Sequence, residues 1–379
     1  VQKIVLIPDS FKGTMSSMEI CALMEKAIRR HFPHAEVLSI PVADGGEGSV
    51  DCFLAAMGGK RVPVRVKGPY GEDCDAFYGQ VAEDTAIVEM AACAGLPLVG
   101  ERKNPEETTT YGVGQLIGRA VGDGCRKIVV GLGGSATNDG GCGAAAALGA
   151  KFLNDRGEAF VPVGGTLTEI ASIDAAPLRR TLAGVEIVTM CDIDNPLCGE
   201  QGAAAVFGPQ KGADPAMVER LDGGLSHLAR IAARDLGVEM LHLPGAGAAG
   251  GMGGGMAAFF GSPLRMGIET VLDTVRFEEI AAGAGLILTG EGKIDGQSLR
   301  GKVVIGVARR AKTMGIPVAA IVGDIGDDVE RSYAMGVSGI FSINRIAAPF
   351  KELQTRCRED LYRTVDNLMG FIARMEERK

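Results

Sequence analysis

Lys3-Ile-Val-Leu-Ile-Pro-Asp-Ser-Phe-Lys-Gly13 opens the chain as an aliphatic run that breaks into a polar, glycine-ended turn. Four consecutive aliphatic residues bounded by turn formers read as a strand. Ser16-x-x-Glu19 then fits a capping box, and Ile20, Leu23, Ala27 and Ile28 place apolar side chains on one helical face. A second strand at 36–41 comes next, and a helix from about Ser49 stops at Gly58-Gly59. The same alternation returns at the far end of the chain. There a strand at 285–289, a helix from about Lys302, a strand at 318–322, a helix near 328–335, a strand at 339–343 and a last amphipathic helix succeed one another. Two strands in front and three behind make one five-stranded, flavodoxin-like sheet with helices on both faces.

The intervening residues break that rhythm. Segments 61–66, 75–81 and 86–90 are short strand-like runs joined by Gly-Pro-Tyr-Gly and Glu-Asp turns, which suits antiparallel hairpins. Helices at about 112–121, 141–149 and 215–234 then mix with strands at 127–131 and 185–191. The fold class expected is α/β in two domains. A discontinuous flavodoxin-like parallel-sheet domain, 1–60 and 284–379, carries an inserted mixed α+β domain at 61–283; a plain head-to-tail pair is the alternative. A chain of 379 residues also exceeds the ~250–300 at which one core stops growing.

Composition narrows the partners. Lys and Arg number 39 against 47 Asp and Glu, a net charge of −8 with no block of like charge. Nucleic acid and anionic membrane surfaces call for a basic patch, so neither is expected as a partner. No apolar run approaches the ~20 residues of a membrane span. Nine cysteines lie singly, with no C-x-x-C spacing, which suits reduced thiols in a cytoplasmic protein. The N-terminus enters a strand at once, with no signal-peptide pattern. Glycine is the outlier at 56 residues, roughly twice ordinary usage. It clusters after apolar runs, where loops bind ligands.

The richest of these loops is Gly131-Leu-Gly-Gly-Ser-Ala-Thr-Asn-Asp-Gly-Gly141, set between the apolar Lys127–Val130 and an alanine-rich helix former. Backbone N–H groups bared by glycine at a helix start suit an anion; a tight turn for close packing is the other reading. Gly245-x-Gly-x-x-Gly250 has the letters of a dinucleotide fingerprint but no βαβ setting. Its run to Gly255 should weaken any following helix, and suits close packing or a hinge. Gly296-Gln-Ser-Leu-Arg-Gly-Lys302 keeps Walker A spacing as far as its lysine, then has Val303 where a hydroxyl would meet magnesium. None of the four histidines lies in such a loop, and Ser135 lacks a nucleophile-elbow setting. Asp9, Asp44, Glu47, Asp139, Asp192, Asp194, Glu291 and Asp295 do, interleaved with Lys12, Lys211, Lys293, Arg300 and Lys302. Acids for a metal and a base, with cations for phosphate oxygens, are the groups that phosphoryl transfer needs.

Together these loops resemble the bacterial glycerate kinase type 1 family over essentially the whole chain. The resemblance rests on Pro8-Asp-Ser-Phe-Lys-Gly13, Ala43-Asp-Gly-Gly-Glu-Gly48, Thr108-Thr-Thr-Tyr-Gly112 and the 131–141 loop. It continues through Cys191-Asp-Ile-Asp-Asn-Pro196, Phe207-Gly-Pro-Gln-Lys-Gly212, the 244–251 and 289–298 segments and Arg300-Gly-Lys302. Lys293 and Ser298 stand where Arg and Thr are frequent in the family.

The resemblance implies ATP-dependent phosphorylation of D-glycerate with Mg2+, and 2-phosphoglycerate as product; 3-phosphoglycerate is the alternative. It specifies no oligomeric state. On that reading substrates meet in a cleft between the domains. Asp192 is the expected general base, with Lys12 or Lys211 on the substrate carboxylate. Asp9, Ser10, Asp44, Glu47, Thr108, Thr109, Thr110, Ser135, Asn138 and Asp139 are expected on the substrate. Gly133, Gly134, Gly290, Gly292, Lys293, Gly301 and Lys302 are expected on the nucleotide, and Asp194, Glu291 and Asp295 at the metal. A nicotinamide-dependent oxidoreductase of a related hydroxy acid and a carboxylate-binding regulator are the readings of other classes.

Overall fold

The computed structural model describes residues 1–43, 45–296 and 298–377. The first strands are β1 (Lys3–Pro8), β2 (Glu36–Ser39), β3 (Lys60–Lys67), β4 (Asp73–Gln80), β5 (Thr85–Glu89) and β6 (Lys127–Gly131). Then come β7 (Lys151–Leu153), β8 (Ala159–Phe160), β9 (Ser172–Asp174), β10 (Glu186–Met190), β11 (Leu264–Arg265), β12 (Leu286–Ile294), β13 (Val318–Ile325) and β14 (Val337–Ser342). Contacts divide the chain into two compact units. One comprises Val1–Ala43, Ala55–Met57 and Ile268–Lys379, the other Asp44–Leu54 and Gly58–Gly267.

In the first unit the sheet runs β14-β13-β12-β1-β2, with every neighbouring pair parallel. This is the flavodoxin-like order, and it reverses direction between β1 and β12, where ligands of such sheets bind. Ile4, Val5, Leu6 and Ile7 are each fully buried, as a parallel strand covered on both faces requires. The helix Ser17–His31 begins with the expected reciprocal cap: the Glu19 N–H donates to Ser16 Oγ at 3.2 Å, and the Ser16 N–H to Glu19 Oε2 at 2.9 Å. Its apolar face packs Ile20, Met24 and Ala27 with Leu361, Val365 and Met369 of the long helix Phe350–Glu376.

The second unit holds a six-stranded mixed sheet, β11-β10-β6-β5-β4-β3. Its β3–β4 and β4–β5 pairs are antiparallel, as the turn chemistry suggested, and β5, β6, β10 and β11 are parallel. A small antiparallel sheet, β8-β7-β9, is added; its strands of two or three residues are too short to show a period in the sequence. Helices Tyr111–Gly122, Cys142–Ala147 and Pro215–Leu236 fall near their expected positions.

The glycine-rich run at 245–255 is closely packed and interrupts its helix. In Ala248–Phe260 the helix is broken by left-handed φ at Ala249, Gly250 and Gly251 and continues to Phe260. Tertiary packing accounts for the glycine there, because a Cβ on Gly250 would lie 2.0 Å from the Thr137 carbonyl oxygen. Gly245-x-Gly-x-x-Gly250 is the turn entering this helix, and irregular chain precedes it. The strand that a dinucleotide fingerprint needs is missing there. Among the described residues, no helix is long and apolar enough to cross a membrane.

Candidate active site

Parallel neighbours end side by side, so the loop after β6 meets the loop after β10. Met190 pairs with Gly131 across that ladder, which brings the 131–141 loop beside Cys191–Ile193. The turn Pro209–Lys211 and the kink at Ala248–Ala249 complete a cavity of about 380 Å3. Asp192, Lys211, Ser135, Gly133 and Gly134, far apart in sequence, all line it.

Lys211 is only 2 % exposed. Its Nζ donates to Ser135 Oγ at 2.9 Å and to the Thr137 carbonyl at 2.6 Å. Two acceptors leave the third N–H without a protein partner among the described residues. Burial pushes the ammonium down to about 7, opposed by the nearby Asp139 carboxylate. A desolvated lysine with an unused donor on a cavity wall is a strong attractor for an anion. Asp192 is half-buried, and the Gly267 N–H donates to its Oδ1 at 2.6 Å. That bond fixes the carboxylate just past β10, beside the 131–141 loop.

Several of the residues expected on the substrate make internal hydrogen bonds. Asp139 is fully buried and accepts from the Thr110 N–H (2.7 Å), the Thr110 hydroxyl (2.8 Å), the Gly141 N–H (3.1 Å) and the Gly143 N–H (3.2 Å). Burial raises its pKa against those four donors. The Thr108 hydroxyl donates to the Ala136 carbonyl, and Thr109 Oγ1 accepts from the Tyr111 N–H. Asp139, Thr108 and Thr110 therefore hold the 131–141 loop against the start of helix Tyr111–Gly122, while the Thr109 bond stays within that helix start. Asn138 is also fully buried, and its amide atoms have no protein partner among the described residues.

In the first unit the sheet's switch point gathers a second set. The Asp9 N–H donates to the Gly290 carbonyl at 2.8 Å, where β1 and β12 end together. Glu291 on β12 is 6 % exposed, and its Oε1 has no partner among the described residues. Burial lifts this carboxyl to about 7, with Asp9 and Asp295 adding to the rise and the Ser298 hydroxyl and Lys302 opposing it. Lys302 is exposed and caps the helix Val303–Thr313, so the near-Walker lysine stands over its own acids. Ser10 is half-buried beside Asp9; Lys12 and Lys293 are exposed. Gly301 has φ +109° in the turn before the helix, and Gly292 lies on the sheet edge with no close neighbour for a Cβ. Gly290 packs closely within the sheet, since a Cβ there would lie 2.1 Å from the Ile321 carbonyl oxygen.

Among the described residues, no three Asp, Glu, His or Cys side chains group to hold an ion. Asp194 is exposed and belongs to the second unit, Glu291 and Asp295 to the first. Glu47 is exposed, and Asp44 lies outside the described residues. Sequence reasoning missed Glu89, 3 % exposed at the end of β5. Its carboxylate accepts from the Val50 N–H at 2.5 Å and the Gly48 N–H at 3.3 Å, anchoring the helix after the 45–48 loop. Its one signal was a carboxylate closing an otherwise apolar strand.

Acids and a lysine meet at the switch point of an open α/β sheet, a lysine lines a cavity in the companion unit, and the family model and named relatives make the chain a kinase, a phosphotransferase. The chain belongs to the glycerate kinase family, whose profile matches residues 4–373. It is 43 % identical over 372 residues to a glycerate kinase of Bacillus subtilis, covering 98 % of this chain and 97 % of the relative. It is 42 % identical over 373 residues to the glycerate 2-kinase of Escherichia coli, covering 98 % of each. A solved structure described as a candidate glycerate kinase 2 of Salmonella typhimurium superposes with a TM-score of 0.87 at 42 % identity, covering 100 % of both chains.

Proposed function

We propose that the protein transfers the γ-phosphoryl group of ATP to D-glycerate in the cytoplasm, and that the product is 2-phosphoglycerate, which carries glycerate from organic-acid breakdown into glycolysis. One observation supports the assignment above others: a single cavity joins a buried lysine, a serine hydroxyl and a fixed carboxylate. A small hydroxy acid needs a cation and hydroxyl for its carboxylate and a base for its hydroxyl. Lys211, with Ser135 and the backbone at Gly133 and Gly134, holds the glycerate carboxylate in this reading. Asp192 takes the proton of the hydroxyl that attacks. The 2-phosphate is favoured by the likeness to the Escherichia coli glycerate 2-kinase.

The acids at the switch point of the first unit fit magnesium bound with a nucleotide. Oxygen donors are the right kind, and the buried Glu291 Oε1 lacks a protein partner among the described residues. Magnesium is usually held by one or two carboxylates plus phosphate oxygens rather than by a full protein cage. Glu291 and Asp295, beside Asp9, would hold it, and the ion would neutralise phosphate charge. Lys302, Lys293 and Lys12 add cations at the same edge for the phosphate oxygens.

Incubation with ATP, magnesium and D-glycerate tests the assignment, with ADP read by a coupled assay and the product by phosphorus NMR. A phosphomonoester on C2 is expected. No ADP would remove the kinase reading, and a C3 ester would remove the 2-phosphate.

A further inference from the structure

The first unit carries a cavity of about 330 Å3 that the acid cluster does not use. It lies at the C-terminal edge of the sheet, where β1, β12, β13 and β14 lead into their loops, and helix Phe350–Glu376 forms its outer wall. We propose that this cavity binds the adenosine end of the phosphoryl donor. The proposal rests on the kinase reading above and goes beyond it by locating the nucleoside.

The lining separates adenosine from glycerate. Phe11, Ile343, Phe350 and Leu353 give the walls an apolar character. A three-carbon hydroxy acid offers nothing to such a surface, whereas a purine ring offers two flat faces. Phe350 is 66 % exposed, an aromatic ring left in solvent at the cavity mouth and available for offset stacking. Gly292 carries no side chain on the cavity lining, and Gly323 packs closely beside it, since a Cβ there would lie 2.3 Å from the Gly292 carbonyl oxygen. The volume falls in the ~300–1,000 Å3 range of small-ligand sites, in which a few polar groups set orientation among apolar ones.

The polar groups present are the ones a nucleoside requires. Asn344 offers an amide, able both to donate and to accept, for the edge of the base. The Asp324 carboxylate suits the ribose hydroxyls as an acceptor. Lys12 lies on the rim, three residues beyond Asp9, and Gly292 directly follows Glu291. The phosphate chain of a nucleotide seated here therefore leads along the same edge to Glu291, Asp295 and Lys302. The walls are tied together, since Gln354 Nε2 donates to the Gly13 carbonyl at 2.7 Å.

Ala348→Trp, which fills the cavity from its loop, and Asn344→Ala test the proposal in the full-length protein. KM for ATP should rise about tenfold or more, with kcat and the glycerate KM within about twofold, the pattern of lost uniform binding. Binding of a fluorescent N-methylanthraniloyl ADP should weaken in parallel. Photolabelling of the unaltered protein with 8-azido-ATP needs no folded variant and should mark residues within 11–14 or 343–357. Unchanged ATP KM and nucleotide affinity in variants with native circular dichroism would overturn the site, as would labels confined elsewhere. Absence of glycerate-dependent ADP from the unaltered protein strikes the kinase reading instead, and nucleotide binding and labelling still decide the cavity.

Discussion

Lys211 is held as a cation in a place that disfavours one, and its titration reports on that. Unfolded, its amine titrates near 10.5; folded, near 7. Between those values the unfolded chain keeps a proton that the folded chain has released. Stability therefore rises with pH across that window, by up to about 1.4 kcal/mol per unit, while below 7 the full penalty of the buried charge applies. Urea melts at pH 7 and pH 9 should show this slope in the native chain and not in Lys211→Met. A bound carboxylate favours the charged amine, so the glycerate KM should climb as pH passes 7. Asp192→Asn keeps the acceptor for the Gly267 N–H and removes the proposed base, and on that proposal kcat should fall by about 10²–10⁴-fold. Steady-state turnover measures it, and a near-normal kcat would take the role from Asp192. Asp139→Ala leaves four donors unanswered in the interior, and a loss of about 3–5 kcal/mol is expected in denaturant melts of the second unit.

At the scale of elements, the glycine-rich helix Ala248–Phe260 shows what close packing asks of the backbone. Gly250, Gly251, Gly253, Gly254 and Gly255 make a poor helix in isolation. Ala249, Gly250 and Gly251 break it with left-handed φ, and the break brings the backbone at Gly250 close to Thr137 of the 131–141 loop. Gly250→Ala therefore meets both a left-handed φ of +68° and a carbonyl in the way. A loss of about 3 kcal/mol is expected from strain and overpacking together, read as a lowered melting midpoint, and glycerate affinity should weaken with the loop. By contrast, the capping box at Ser16 and the strand-turn edges at 3–13 and 127–141 were legible, since each depends on neighbours within a few residues. The small β8-β7-β9 sheet was not legible, because two- and three-residue strands have no period to detect.

For the whole molecule, each unit has its own buried cluster. One is built on Ile4, Leu6, Leu288 and Leu361, the other on Ile128, Val130, Leu225 and Phe259. A unit with its own core can fold alone. A fragment of residues 44–267 should show cooperative thermal unfolding by circular dichroism and keep near-UV signals of fixed packing. A non-cooperative melt would contradict an independent core. Both segments of the flavodoxin-like unit must be present for its sheet, as β1 pairs with β12 from Ile4 opposite Leu286 to Pro8 opposite Gly290.

The sequence by itself determined the parallel five-stranded sheet at the chain's two ends and the mixed unit within it. It also placed the polar loops at strand ends and showed a family likeness through their order. These follow from periodicity, caps and turn residues, which act over short distances. Tertiary structure alone decided which polar groups remain available. It gathered Asp192, Lys211 and Ser135 at one cavity, and it used Asp139 and Thr108–Thr110 for internal bonds. It sealed Glu291 beside Asp9 and Asp295, and it gave Gly290 to sheet packing. Burial and hydrogen-bond partners come from segments far apart in the chain, and no local pattern of residues carries that information.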